Sequence, residues 1–82
     1  MMLYVLIPHS APSWESFRLF TTYAAVEQAA LRAAQGFEQK GFDPDWCSII
    51  AYEGQDELDP VFLYTLVGST HLHRERYPTP SS

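Results

Sequence analysis

Eighty-two residues, 46% hydrophobic and 15% aromatic, make one small globular domain rather than a disordered chain. Ten acidic residues against five basic ones give a net charge of −5, which excludes broad binding to a nucleic-acid backbone because phosphates would be repelled. No apolar run reaches the roughly 20 residues of a bilayer span, and the single Cys47 cannot form an internal disulfide.

The opening "MMLYVLIPHS" has no basic region and too short an apolar run for a secretion signal, so it reads as a first strand. A cytoplasmic or nuclear chain is expected, neither secreted nor membrane-bound. Within residues 2–8, Leu3, Val5 and Ile7 alternate with Tyr4 and Leu6, and both sets are apolar. Such a strand is covered on both faces or sits centrally in a sheet. "HSAPSWES" reads as a loop, and "FRLFT" (17–21) as a second strand, with Phe17 and Leu19 facing one way. The short connection favours an antiparallel hairpin.

Residues 23–40 carry the one clear helical period, with Thr22 as the N-cap. Tyr23, Val26, Ala29, Ala30, Ala33 and Phe37 form its apolar stripe, whereas Glu27, Gln28, Arg32, Gln35 and Gln39 fall outside it. An alanine-rich stripe lets a helix lie close to a sheet, anchored here by Val26 and Phe37. Gly36 either serves that close approach or ends the helix early. Gly41 suits the position after the last turn, with "FDPDW" as the exit.

Residues 46–52 ("WCSIIAY") and 61–67 ("VFLYTLV") read as third and fourth strands by their β-branched and aromatic content. "GST" turns the chain, and 71–77 ("HLHRERY") reads as a charged edge strand. The expected fold is α+β: residues 1–77 form a single domain whose antiparallel sheet has four to five strands in the order β-β-α-β-β(-β). One helix packs on one face, and 78–82 form a flexible tail.

A single helix covers a single face, so the opposite face should be polar where it meets water. These strands do not supply enough polar residues. Depending on register, the second face draws on Tyr4, Leu6, Phe20, Trp46, Ile50, Tyr52, Phe62, Tyr64 and Leu66, or on their equally apolar neighbours. A contiguous apolar patch marks an interface unless loop and terminal segments fold over it. Tyr4, Phe20, Tyr52, Phe62 and Tyr64 are the candidate contacts, since aromatic residues are enriched at interfaces.

"YEGQDELDP" places Glu53, Asp56, Glu57 and Asp59 within seven residues. An EF-hand loop wants glycine at its sixth position and glutamate at its twelfth, and Gly54 and Pro60 break that spacing. No second acidic element is certain to lie nearby, although Asp43 and Asp45 precede the paired strand and could sit at its other end. A catalytic carboxylate pair needs one buried partner, which a solvated turn does not provide. The stretch reads as the connection between strands three and four, with Gly54 making the turn, Pro60 the restart and Leu58 tucked inward. From Glu38 to Asp59 seven acids face one base, Lys40, so Asp56, Glu57 and Asp59 are expected to steer a basic partner.

His71 and His73 share one strand face about 7 Å apart, but zinc needs a third ligand, for which Cys47 or His9 would have to come close. Cys47, between Trp46 and Ser48, reads as a small buried hydrophobe rather than a nucleophile. Ser10, Ser13 and Ser16 lack a nucleophile-elbow pattern, and there is no phosphate loop, CxxC or HExxH. No catalytic residue, metal or cofactor is expected.

The leading expectation is a non-enzymatic, small acidic protein-interaction module: an accessory subunit, adaptor or regulator. Its partner is a protein with a basic surface or a second copy of the chain, since "HLHRER" is complementary to the acidic stretch. Neither direct nucleic-acid binding nor a membrane is expected. The alternative is an acidic charge-mimic inhibitor of phage or viral type, occupying a basic nucleic-acid-binding site on a target protein.

Overall fold

The computed structural model describes residues 1–10 and 16–77; the middle of the "HSAPSWES" loop and the expected tail at 78–82 lie outside the described residues. The elements run β1 (Met2–Pro8), β2 (Arg18–Phe20), α1 (Tyr23–Gln39), β3 (Cys47–Glu53), β4 (Asp59–Val67) and β5 (His71–Arg76). This is the expected α+β order, with the fifth strand present. The sheet order is β2-β1-β3-β4-β5, with every neighbouring pair antiparallel. Both β2 and β3 run against β1, so they are parallel to one another, and α1 is the crossover that joins them.

Thr22 starts the helix as expected. Its backbone is extended, and its hydroxyl oxygen accepts the Ala25 N–H at 3.3 Å. The buried positions on α1 are Val26, Ala30 and Ala34, spaced by four. The stripe is therefore turned from the expected one, leaving Ala29 and Ala33 half-buried, while Leu31 packs beside it. With alanine at 29, 30, 33 and 34, side-chain size does not distinguish the two stripes, and two polar contacts tie the helix down, one at its middle and one at its C-terminal end. The Trp46 indole N–H donates to the Ala30 carbonyl at 3.0 Å, and at the far end the Ser69 hydroxyl donates to Glu38 at 3.1 Å.

Gly36 serves neither expected purpose. The helix runs through it, and a Cβ there would meet nothing within 4 Å. Gly36→Ala should therefore raise stability by about 0.5–1 kcal/mol, because alanine loses less backbone freedom on folding. Thermal melts followed by circular dichroism should show the midpoint rising by about 2–8 °C. An unchanged or lowered midpoint would mean that this helix position is constrained in some other way.

The core is one cluster of Tyr4, Leu6, Val26, Ala30, Ala34, Cys47, Ile49, Ala51, Tyr64 and Leu66. It fixes which strand parity faces the helix. Two details of the β3–β4 connection differ from expectation. Leu58 is 41% exposed rather than tucked inward. Pro60 lies inside β4, opposite Tyr52, where the register shifts between Ala51 and Tyr52. A bulge already interrupts the ladder there, so a residue without an N–H is tolerated.

Candidate functional site

Strand alternation places one parity of residues under α1 and the other on a face that no described element covers. Cross-strand register assembles that open face in rows. Leu19, Val5, Ile50 and Leu63 stand side by side from β2 to β4, and Glu75 on β5 ends the row. A second row begins with Leu3 opposite Tyr52, and a third runs Ile7, Ser48, Thr65, His73. Leu19 is 65% exposed, and the central members are half-buried by their neighbours. The result is an apolar centre with a polar border along β5 and, at the end of β1 and the start of β3, at His9 and Ser48.

The border is hydrogen-bonded within itself. His9 Nε2 lies 2.8 Å from Ser48 Oγ, and His73 Nε2 lies 3.3 Å from Glu75 Oε1. His71 and His73 share the open face, as β5 alternation required, whereas Cys47 points to the helix side. Among the described residues, no three His, Cys, Asp or Glu side chains gather to hold a metal ion.

The five aromatic candidates are split by this geometry. Tyr52 belongs to the open face. Tyr4 and Tyr64 are buried in the core under α1, and Phe20 and Phe62 pack against it. For those four the expected placement on a free face is corrected: their parity is the one the helix covers. The residues that form the open face in their stead are Leu3, Val5, Ile7, Leu19 and Leu63. Both parities of β1 are apolar, so alternation alone carries no sign that tells them apart.

Tyr4 and Tyr64 instead join Tyr23 in a ring cluster at the start of α1. Their centroids are 6.1 Å (Tyr4–Tyr23), 6.4 Å (Tyr4–Tyr64) and 5.2 Å (Tyr23–Tyr64) apart. With Arg74 they line an open pocket of about 440 Å³. The Arg74 guanidinium also stands 4.7 Å from the Phe62 ring centre. Burial, reinforced by the Glu27 carboxylate, pushes the Tyr23 hydroxyl up to about 12. Burial and then Tyr4 push Tyr64 upward, with Arg74 acting in the opposite direction.

The acidic loop closes tightly on Gly54. Its φ is +151°, its N–H donates to the Met1 carbonyl at 3.2 Å, and any Cβ there would overlap the Glu57 carbonyl oxygen. Asp56, Glu57 and Asp59 are exposed. The seven acids between 38 and 59 do not make one patch, however. The seven residues of β3, about 20 Å long, put Asp43 and Asp45 at one end of the sheet and the loop at the other.

Cys47 is 1% exposed, and its thiol is pushed up to about 12 by burial first and the Asp45 charge second. Alkylation needs the thiolate. Iodoacetamide at pH 8 should therefore leave native Cys47 unmodified over hours and label it within minutes in denaturant. Fast labelling of the folded protein would overturn this placement of the thiol.

No known protein family, curated protein or solved structure matches the chain. A functional reading must rest on these surfaces. Among the described residues no helix is long and apolar enough to cross a membrane.

Proposed function

We propose that the protein is a non-enzymatic interaction module that docks a partner protein, or a second copy of itself, on the open sheet face. One observation carries this reading: the apolar row Leu19–Val5–Ile50–Leu63 crosses four strands with no described element over it. A solvated antiparallel face alternates to polar residues, and contiguous apolar surface of this kind usually serves an interface. Tyr52 beside the row adds the kind of aromatic anchor that interfaces favour. The acidic loop at the end of β3 orients a basic partner surface during encounter.

The charge-mimic reading draws on Asp56, Glu57 and Asp59, all exposed on one loop. The division of the acids between two ends of the sheet leaves less charge in one place than such mimicry needs, so sheet-face docking is preferred. Neutralising the three loop acids together separates the two readings. Under sheet-face docking the association rate falls and its salt dependence flattens, but affinity survives. Under charge mimicry binding is lost altogether. Absolute mass by light scattering, at low and high salt, tests the second-copy form directly: a dimer held by apolar burial persists at both.

A further inference from the structure

We propose that the pocket at the C-terminal end of α1 binds an alkylated ammonium, the head of a methylated lysine side chain on a partner protein. The proposal does not rest on the open sheet face or on the acidic loop at the sheet's other end, although His9, which lines the pocket, also reaches Ser48 at that face's border.

Local backbone chemistry builds the pocket. Lys40 caps the helix and Gly41 takes a φ of +82°, a conformation that glycine adopts without strain. The Gly41 N–H donates to the Glu38 carbonyl at 3.0 Å, and the Phe42 N–H donates to the Phe37 carbonyl at 2.9 Å. These paired reverse bonds are a Schellman ending, which turns the chain back and brings Phe42 beside Phe37. Trp46 supplies another wall. Its indole N–H is tied to Ala30, its backbone N–H donates to the Pro44 carbonyl at 2.8 Å, and its carbonyl accepts the His9 N–H at 2.8 Å.

The Phe37 and Trp46 rings meet at 5.8 Å between centroids and 62° between planes, so they form a corner rather than a stack. Phe42 lines the same space. Phe42 is 65% exposed, so its ring is open to a ligand entering this space. The pocket measures about 420 Å³; Asp43 and Asp45 line it with Ser10 and His9, whose Nε2 is engaged 2.8 Å from Ser48 Oγ, and neither Lys nor Arg does. Asp43 is held in place because its Oδ1 accepts the Asp45 N–H at 3.0 Å.

Three aromatic rings and two carboxylates around one opening select an organic cation. Ring faces attract positive charge through their quadrupole, and Trp does so most strongly. A bare lysine ammonium is compact and strongly hydrated, so moving it among rings costs much of the gain. Methyl groups remove hydrogen-bond donors and spread the charge over an apolar surface, which matches walls of this composition. An uncharged apolar ligand would gain nothing from the two carboxylates.

The test is a titration of the full chain with three short peptides, followed through the Trp46 indole N–H signal by NMR. One carries trimethyllysine, the second unmodified lysine, and the third the neutral isostere with carbon in place of the ammonium nitrogen. The trimethyllysine peptide should bind with a Kd on the order of 0.1–1 mM, and the other two about tenfold more weakly. Phe42→Ala should weaken it about tenfold, and Asp43→Asn with Asp45→Asn about fivefold. Asparagine at 43 retains the acceptor oxygen of the turn, so that variant keeps the loop if Phe42→Ala disturbs folding. Equal binding of the neutral isostere would overturn the proposal by making the site merely apolar. Equal binding of unmodified lysine, or no response of the indole up to 10 mM trimethyllysine peptide, would overturn it as well.

Discussion

Glutamate in place of Leu63 should abolish association through the open sheet face while leaving the domain folded. Leu63 stands in β4 between Ile50 and Glu75, at the junction of the apolar row with its polar border. In the free protein a glutamate there can reach water beside β5, at a cost of about 0.2–1 kcal/mol from repulsion by Glu75 directly opposite. In a complex it must be desolvated against the partner's apolar surface, a cost of several kcal/mol. The expected loss of affinity is at least about 30-fold, equivalent to roughly 2 kcal/mol. If the protein self-associates, light scattering should report a monomer for the variant at concentrations where the parent is a dimer.

The contrast with Tyr64→Ala makes that result informative. Tyr64 is the next residue along β4 but faces the helix, with its ring packed on Tyr4, Tyr23 and Phe62. Its removal should cost about 3–5 kcal/mol of stability, a large share of what a domain this small possesses. One residue apart, one change should disrupt binding and the other folding. If Leu63→Glu left mass and affinity untouched in the folded protein, the interaction reading would fall.

That one-residue distinction is also the limit of what the sequence could convey. Strand and helix order was legible because local signals agreed: β-branched and aromatic runs at 46–52 and 61–67, one helical period from 23 onward, and Thr22 and Gly41 at its ends. The parity of the sheet was not legible. Tyr4 and Leu6 are no more apolar as a set than Leu3, Val5 and Ile7, so either could lie under α1. Size and contact decide it, because Tyr4 and Tyr64 bracket Tyr23 whereas the leucines and valine of the other parity have no such partner on the helix. The pocket at the end of α1 was not legible for a different reason. Its signal was present as two phenylalanines, 37 and 42, on either side of Gly41, but their meeting depends on a three-dimensional reversal that hydrophobic period does not register. The acidic stretch shows the opposite case. Asp43 and Asp45 are near the loop acids in sequence but not in space, because the extended strand between them, Cys47–Glu53, separates them.

Stability should fall on the alkaline side, beginning near pH 9, and Cys47 should account for the first part of the loss. The thiol's pKa rises from 9.0 to about 12 on folding and the Tyr23 hydroxyl's from 10.0 to about 12; Tyr64 is also raised above 10.0. A raised pKa means the native state holds its proton where the unfolded chain has released it. Each group's contribution is therefore complete below its unfolded pKa and is lost as pH climbs toward the folded value. The windows are pH 9 to 12 for Cys47 and pH 10 to 12 for Tyr23, with Tyr64 also starting at 10. Cys47 is nearly inaccessible, so its loss should reach about 1–1.5 kcal/mol by pH 10, before either tyrosine contributes much. Urea midpoints measured from pH 8 to 10 should fall accordingly in the parent protein and stay flatter in Cys47→Ala, which has no thiol to titrate. General repulsion among the acidic groups acts equally on both proteins and cancels in the comparison. Parallel declines of the two would place the loss outside the thiol and contradict its burial under α1.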